Sequence, residues 1–219
     1  MSGLSHIGIW GRTRGGKTTK AKEKIAGVPR VLVVDPDDEF QGIVDERLEI
    51  AGTDRAAFLP MIQYMAARWG GVFRLAIYPA DGVDGAEFID TLGGVIKELQ
   101  DPYNNNFEGF ELCILVDEIA DFFPNRQHVA PKFWTLIRRG LKRGVFIIGT
   151  SQRMAEVGIS FRSNCATDYY YPLQTTTDID EALKRLGREY QPTLRQLNNH
   201  QFLMRGLDGQ VTPGENPPQ

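Results

Sequence analysis

Gly11-Arg-Thr-Arg-Gly-Gly16-Lys17-Thr18 is a full match to G-x-x-x-x-G-K-[ST], standing directly after an apolar run that ends at Trp10 and opening a segment of helical spacing. Glycines let a backbone wrap a phosphate group. Successive N–H groups and the positive end of the helix dipole solvate its charge. Lys17 has the reach for β- and γ-phosphates, and the Thr18 hydroxyl suits Mg²⁺. Gly11, Arg12, Thr13, Arg14, Gly15, Gly16, Lys17, Thr18 and Thr19 are the candidate nucleotide-binding residues, with ATP and Mg²⁺ as the expected cofactors. The competing reading is a glycine-rich turn without a ligand.

Such a loop needs a further carboxylate for its metal. Glu111-Leu-Cys-Ile-Leu-Val-Asp117-Glu118 reads as a buried strand ending in two acids, a Walker B pattern. Asp117 would hold Mg²⁺ through its water shell, and Glu118 would polarise the water that attacks the γ-phosphate. The alternative is a solvated acidic turn. A third apolar run, Val145-Phe-Ile-Ile-Gly-Thr-Ser-Gln152-Arg153, ends in small hydroxyls, an amide and a guanidinium. In an open α/β sheet a ligand lies outside the carboxyl ends of the strands, which puts Gln152 near the γ-phosphate. Arg153 either joins it or caps the strand.

The elements that must position these residues are short apolar runs alternating with longer helical segments. Strands are predicted over 6–10, 31–34, 75–78, 112–116, 145–148, 166–171 and 201–204, and helices over 17–26, 54–69, 85–100, 132–142 and 178–186. Thr53 and Asp84 stand where N-caps would. VLVV, CILV and VFIIG lack in/out alternation, as strands do when helices cover both faces of a parallel sheet. The fold class is therefore α/β, a largely parallel central sheet flanked by helices. Residues 1–205 are expected to form a single P-loop ATPase domain, and 206–219 a flexible Pro/Gly-rich tail.

Composition excludes several other classes. The 219 residues are 42% hydrophobic and 24% charged, proportions of a folded globule rather than a disordered chain. Lys and Arg number 25 against 28 Asp and Glu, a net charge of −3 that rules out coating nucleic acid by bulk charge. Cys113 and Cys165 encode no disulfide framework, the histidines lie far apart, and no segment has the length of an apolar membrane span. Both cysteines read as small buried hydrophobes, and a reducing compartment is expected.

Taken together, these motifs resemble the FtsK/HerA superfamily of P-loop ATPases, ring-shaped DNA pumps with a RecA/FtsK-like fold. The resemblance is carried by the loop after HIGIWG, the segment Val31-Leu-Val-Val-Asp35-Pro36-Asp-Asp-Glu39-Phe, the VDE at 116–118 and the TSQR at 150–153. With the first strand beginning near residue 1 and no further domain in view, the chain reads as a bare motor. It looks like the genome-packaging ATPases of tailless, internal-membrane-containing icosahedral viruses. The resemblance implies a double-stranded DNA substrate, a preformed capsid whose vertex proteins are partners, a homo-oligomeric ring with a hexamer favoured, and a place in the host cytoplasm or at the packaging vertex of the virion. A plasmid or cellular translocase shares these features. The reading from a different class is a monomeric P-loop kinase or regulatory switch.

The pattern departs from the superfamily in one place. Where an arginine commonly precedes the glycine of the glutamine strand by three positions, this chain has Leu141 before Gly144, surrounded by Arg138, Arg139 and Arg143. Arg139 and Arg143 are the candidates for an arginine finger inserted into a neighbour's site; contact with DNA phosphates or with solvent is the alternative. Two further segments carry weaker signals. Phe122-Phe123-Pro124-Asn-Arg126-Gln-His128 would line a pore or cover a sheet edge, and Tyr169-Tyr170-Tyr171 would stack on bases or pack in the core.

Overall fold

Runs that are apolar at every position can only be buried on both faces, and that is how the centre of the molecule is built. The computed structural model describes residues 4–125 and 129–217. In chain order the elements are β1 (His6–Trp10), α1 (Lys17–Ile25), β2 (Arg30–Val34), β3 (Glu46–Ile50), α2 (Leu59–Arg68), β4 (Phe73–Pro79), α3 (Gly85–Gln100), β5 (Leu112–Val116), α4 (Ile119–Phe122), α5 (Pro131–Arg139), β6 (Val145–Ser151), α6 (Ile159–Asn164), β7 (Cys165–Tyr170), α7 (Thr176–Leu186), α8 (Gln191–Gln196), β8 (Gln201–Arg205) and β9 (Val211–Glu215). Among the described residues nine strands form one sheet in the order β3-β4-β2-β5-β6-β1-β7-β8-β9. Every pairing from β3 to β7 is parallel, and β8 and β9 add to the edge antiparallel. The α/β class and the largely parallel sheet are as the sequence predicts.

Alternate residues of one strand enter different cores. Leu32 and Val34 join Trp10, Phe58, Phe88, Phe133 and Phe161 on one face, while Val31 and Val33 join Ile9, Ile25, Phe40 and Leu115 on the other. Two apolar faces leave no polar position, which is why the pattern of β2 does not alternate.

Several boundaries differ from expectation. Asp84 caps α3 by accepting from the N–H groups of Ala86 and Glu87. Thr53 caps nothing: residues 54–58 form a turn in which Asp54 accepts from the Ala57 N–H, and α2 starts at Leu59 with Pro60 in its first turn. The segment 132–142 divides into α5 and a short 3₁₀ turn over Gly140–Arg143, ended by left-handed Gly144. β3, a half-exposed edge strand with two glutamates, lacks the apolar run that marks the others.

The expectation of a flexible tail over 206–219 is corrected. Residues 211–215 are β9, paired along its length with β8 despite Pro213 and Gly214. An edge strand tolerates a proline because one side needs no ladder donor. The tyrosine run packs rather than stacks on a ligand: Tyr169 meets Phe202 edge-on, and Tyr170 and Tyr171 are fully buried. Phe122 and Phe123 point into the core, not a pore. Arg126 and His128 of that segment lie outside the described residues. Cys113 and Cys165 are buried free thiols. Among the described residues no helix is long and apolar enough to cross a membrane.

Candidate active site

The strand order decides the site. β6 lies between β1 and β5, so the loop after β1, the acids after β5 and Gln152 after β6 open side by side at the carboxyl ends of three neighbouring parallel strands. They line one cleft of about 470 Å³ with Thr13, Arg14, Gly16, Lys17, Thr18, Thr19, Asp37, Glu39, Asp117, Glu118, Gln152 and His200 on its walls.

The loop is held in a phosphate-ready shape by backbone that only some residues tolerate. Gly16 sits at φ 111° immediately before α1, and Arg14 is left-handed at φ 59°. A Cβ on Gly11 would lie 2.5 Å from Tyr171 Cβ, so nothing larger than glycine fits where β1 ends. The N–H of Gly11 donates to Ser151 O and that of Arg12 to Pro172 O, tying the loop to the ends of β6 and β7. Thr13, Arg14, Gly16, Lys17, Thr18 and Thr19 face the cleft. Arg12 does not: its guanidinium turns outward to Asn199 Oδ1, 2.9 Å away.

Hydrogen bonds join the three motifs directly. Thr150 donates to Asp117 Oδ1 at 2.5 Å and accepts from the Glu118 N–H at 3.1 Å, so one hydroxyl of β6 fixes both acids. Glu118 accepts from the Gln152 N–H at 2.9 Å and lies 3.6 Å from Lys17 Nζ. The Thr13 hydroxyl donates to Gln152 Oε1 at 2.5 Å. Glu118 is itself left-handed, at φ 46°, a strained conformation for a residue with a Cβ and one typical of functional sites. Arg153 stands outside the cleft, paired with Glu156 and Asp178.

The cleft is charged and poorly solvated. Burial pushes the Asp117 carboxyl up to about 6, against the Thr150 hydrogen bond, which favours the anion. Burial lowers the Lys17 ammonium, opposed by Glu118 and Asp117. Lys17 has Glu118 within 3.6 Å as its nearest anion, and Asp117 has the charge of Lys17 only as a minor offset to its burial. Thr18 and Asp117 line the same cleft and suit Mg²⁺. Among the described residues no cluster of three or more acids, histidines or cysteines could cage a metal, so such an ion would draw its other ligands from phosphate and water.

Behind β2, Asp35 is fully buried and accepts from the N–H groups of Glu39 and Phe40, a turn that sets Glu39 on the cleft wall. Arg139 and Arg143 are not brought to this site. They precede β6, at the far end of its seven residues, about 20 Å away at the usual rise per residue. Arg143 pairs with Asp101 at 2.7 Å, and Arg139 is exposed.

Three contributors were not read from the chemistry of the sequence. Glu39 entered only through the resemblance and is now a wall of the cleft. His200 and Asn216 come from the hairpin of β8 and β9, and a Pro/Gly-rich tail gives no local sign that it reaches residue 16.

No protein-family model and no curated protein matches the sequence. Solved structures do match in fold. The genome packaging NTPase B204 from Sulfolobus turreted icosahedral virus 2, in complex with AMPPCP, superposes with a TM-score of 0.74 at 12% identity, over 99% of each chain. VirB4 of Thermoanaerobacter pseudethanolicus gives a TM-score of 0.65 at 10% identity, over 98% of this chain and 90% of that one. Thermomonospora curvata EccC (ATPases 2 and 3) gives 0.56 at 16% identity, over 98% of this chain and 38% of that one. In fold this chain is thus similar, over nearly its whole length, to a viral genome-packaging NTPase and to VirB4, and to a part of EccC.

Proposed function

We propose that this chain is an ATP-hydrolysing translocase that packages double-stranded DNA into a preformed capsid, working as a homo-oligomeric ring with a hexamer favoured. The observation that carries the reading is the meeting of Lys17, Thr18, Asp117, Glu118 and Gln152 in one cleft at the ends of β1, β5 and β6. Lys17 and the loop amides hold the β- and γ-phosphates. Glu118 orients and polarises the attacking water, and Gln152, bridged to Thr13 and Glu118, senses whether the γ-phosphate is present. Thr18 and Asp117 would hold Mg²⁺, which when bound neutralises phosphate charge. Packaging is supported among translocase roles by the fold comparison: the packaging NTPase superposes with a TM-score of 0.74, against 0.65 for VirB4 and 0.56 for EccC.

The test is ATP turnover with and without unrelated DNA duplexes over a salt series. Duplex of any sequence should raise the rate, and the increase should fall steeply with salt because the contacts are to phosphates. A rate that DNA never changes would remove the translocase reading and leave an ATPase.

A further inference from the structure

We infer that Asn216, with the backbone of His200, is a positioning element of the phosphate loop: the C-terminal hairpin aims the N–H groups of Gly16 and Lys17 at the nucleotide. The inference rests on the nucleotide reading above. Asn216 is buried, 4% exposed, and every polar group of its side chain is engaged. Its amide nitrogen donates to Gly16 O at 2.9 Å, and its amide oxygen accepts from the buried Tyr171 hydroxyl at 2.6 Å. Its backbone N–H donates to His200 O at 2.9 Å, and the His200 N–H donates to Gly15 O at 2.8 Å. His200 takes the left-handed conformation, φ 72°, to make this turn.

Two consecutive carbonyls of the loop, Gly15 and Gly16, are therefore held from one side by residues about 185 and 200 positions away in sequence. A trans peptide unit is planar, with its carbonyl and the following N–H pointing in opposite directions. Gly16 O also accepts from the Lys20 N–H at 3.1 Å as the first bond of α1, so helix and Asn216 fix that peptide together, while Gly15 O is held by the His200 N–H. The two anchored carbonyls turn the N–H groups of Gly16 and Lys17 away from the hairpin, toward the cleft those two residues line. Gly16 is glycine for the same reason: a Cβ there would lie 2.4 Å from Asn216 Nδ2. A free glycine-rich loop populates many peptide orientations, and Asn216 removes that freedom before nucleotide arrives. Tyr171 fixes which way the amide faces, since its hydroxyl donates to the oxygen and leaves the nitrogen for Gly16.

Such a residue touches no substrate atom, so its loss should weaken binding without slowing the bound complex. Asn216→Ala should lower affinity about tenfold, the equivalent of one well-placed hydrogen bond, with KM raised by a similar factor and kcat within about twofold of wild type. The loss should be equal for ATP and for inorganic triphosphate, because the misaimed donors serve phosphates and not the base. Asn216→Asp, which turns a donor into a second acceptor against Gly16 O, should lose more. Tyr171→Phe, which keeps the ring and its packing, should lose about threefold by letting the amide rotate. Calorimetric titration of the folded proteins with both ligands, steady-state ATP hydrolysis and melting temperatures together read all of this.

A purely structural role predicts lower melting temperatures with unchanged dissociation constants, and that result overturns the inference. If Asn216→Ala does not fold, Tyr171→Phe decides alone, an unchanged affinity again overturning it. Wild-type protein that binds neither ligand overturns the nucleotide reading itself, and the inference with it.

Discussion

At its carboxyl end β6 hands Thr150 and Gln152 to a charged, half-buried cleft; at its amino end the same strand emerges from a basic segment that faces solvent. Residues 131–143 hold Lys132, Arg138, Arg139, Lys142 and Arg143 and no acid. Arg138 lies over the half-exposed Trp134 ring at 4.6 Å, Arg143 is tied to Asp101 and the Arg139 carbonyl, and the exposed Arg139 guanidinium makes no ion pair among the described residues. At the cleft end Thr13, Lys17, Asp117, Glu118 and Gln152 are joined to one another or to Thr150 in the same chain, whereas the other end offers unspent charge. With a whole strand between them, these arginines cannot serve the cleft of their own chain. A neighbouring subunit, a DNA backbone or solvent is left to meet them. The contrast can be broken from either end.

The largest effect should come from the cleft. Lys17→Ala should abolish nucleotide binding and hydrolysis, because it removes the buried ammonium assigned to the β- and γ-phosphates. Glu118→Gln should keep binding: the amide oxygen still accepts from the Gln152 N–H, while the charge that polarises water is lost. Turnover should fall by about 10²–10⁴. Binding titrations and single-turnover hydrolysis on both proteins separate the two phenotypes. Wild-type hydrolysis by Glu118→Gln would remove it as the base.

The next effect tests the amino end. Arg139→Ala should bind ATP as wild type does and lose turnover by as much as about 10³, the low end for an arginine finger. Mixed with Lys17→Ala protein it should recover part of the activity, since one hybrid interface then pairs an intact loop with an intact finger. Arg143→Ala should show a weaker version, because its guanidinium must first leave Asp101. Mutants that co-assemble and recover nothing at any ratio would assign this segment to DNA or solvent.

What was legible in the sequence follows the same divide. The cleft was legible because its chemistry is local: glycines before a Lys-Thr pair, two acids ending an apolar run, a polar ending on another. The strand order that gathers them was not, since parallel neighbours are joined through long crossovers and no residue spacing records that β6 enters between β1 and β5. Thr150 was visible as a small hydroxyl, yet its bridge from Asp117 to Glu118 exists only once those strands are paired. β8 was expected over 201–204, but β9 was misjudged for a physical reason. Pro213 and Gly214 argue against a strand in isolation, and its stability comes from pairing with β8 and from Asn216 reaching the loop. β3 was missed because an edge strand with one wet face needs little apolar character.

The smallest predicted effect concerns what holds the amino end in place. His6 is buried where β1 begins; its Nδ1 accepts from the Ile147 N–H of β6 at 2.9 Å, so the proton of the neutral ring is on Nε2, which donates to Ile137 O of α5 at 2.7 Å. One imidazole thus pins the basic helix to the sheet, and it does so only when neutral, because a second ring proton would face the Ile147 N–H. Burial lowers its affinity for protons below the ordinary value of 6.5, the Ile137 hydrogen bond opposing this in part. The sign of the linkage follows. The unfolded chain takes up a proton near pH 6.5 and the folded chain only at lower pH, so the stabilisation is complete above 6.5 and declines as pH falls toward the folded value. His6→Gln cannot titrate, and its amide can still accept from one partner and donate to the other. Melting temperatures of the two proteins, taken from pH 8 to pH 5 without nucleotide, should therefore diverge only below pH 6.5, with wild type losing stability faster. Parallel curves through that window would mean that His6 does not couple α5 to β6 through its protonation state, and that the amino end is held by packing alone.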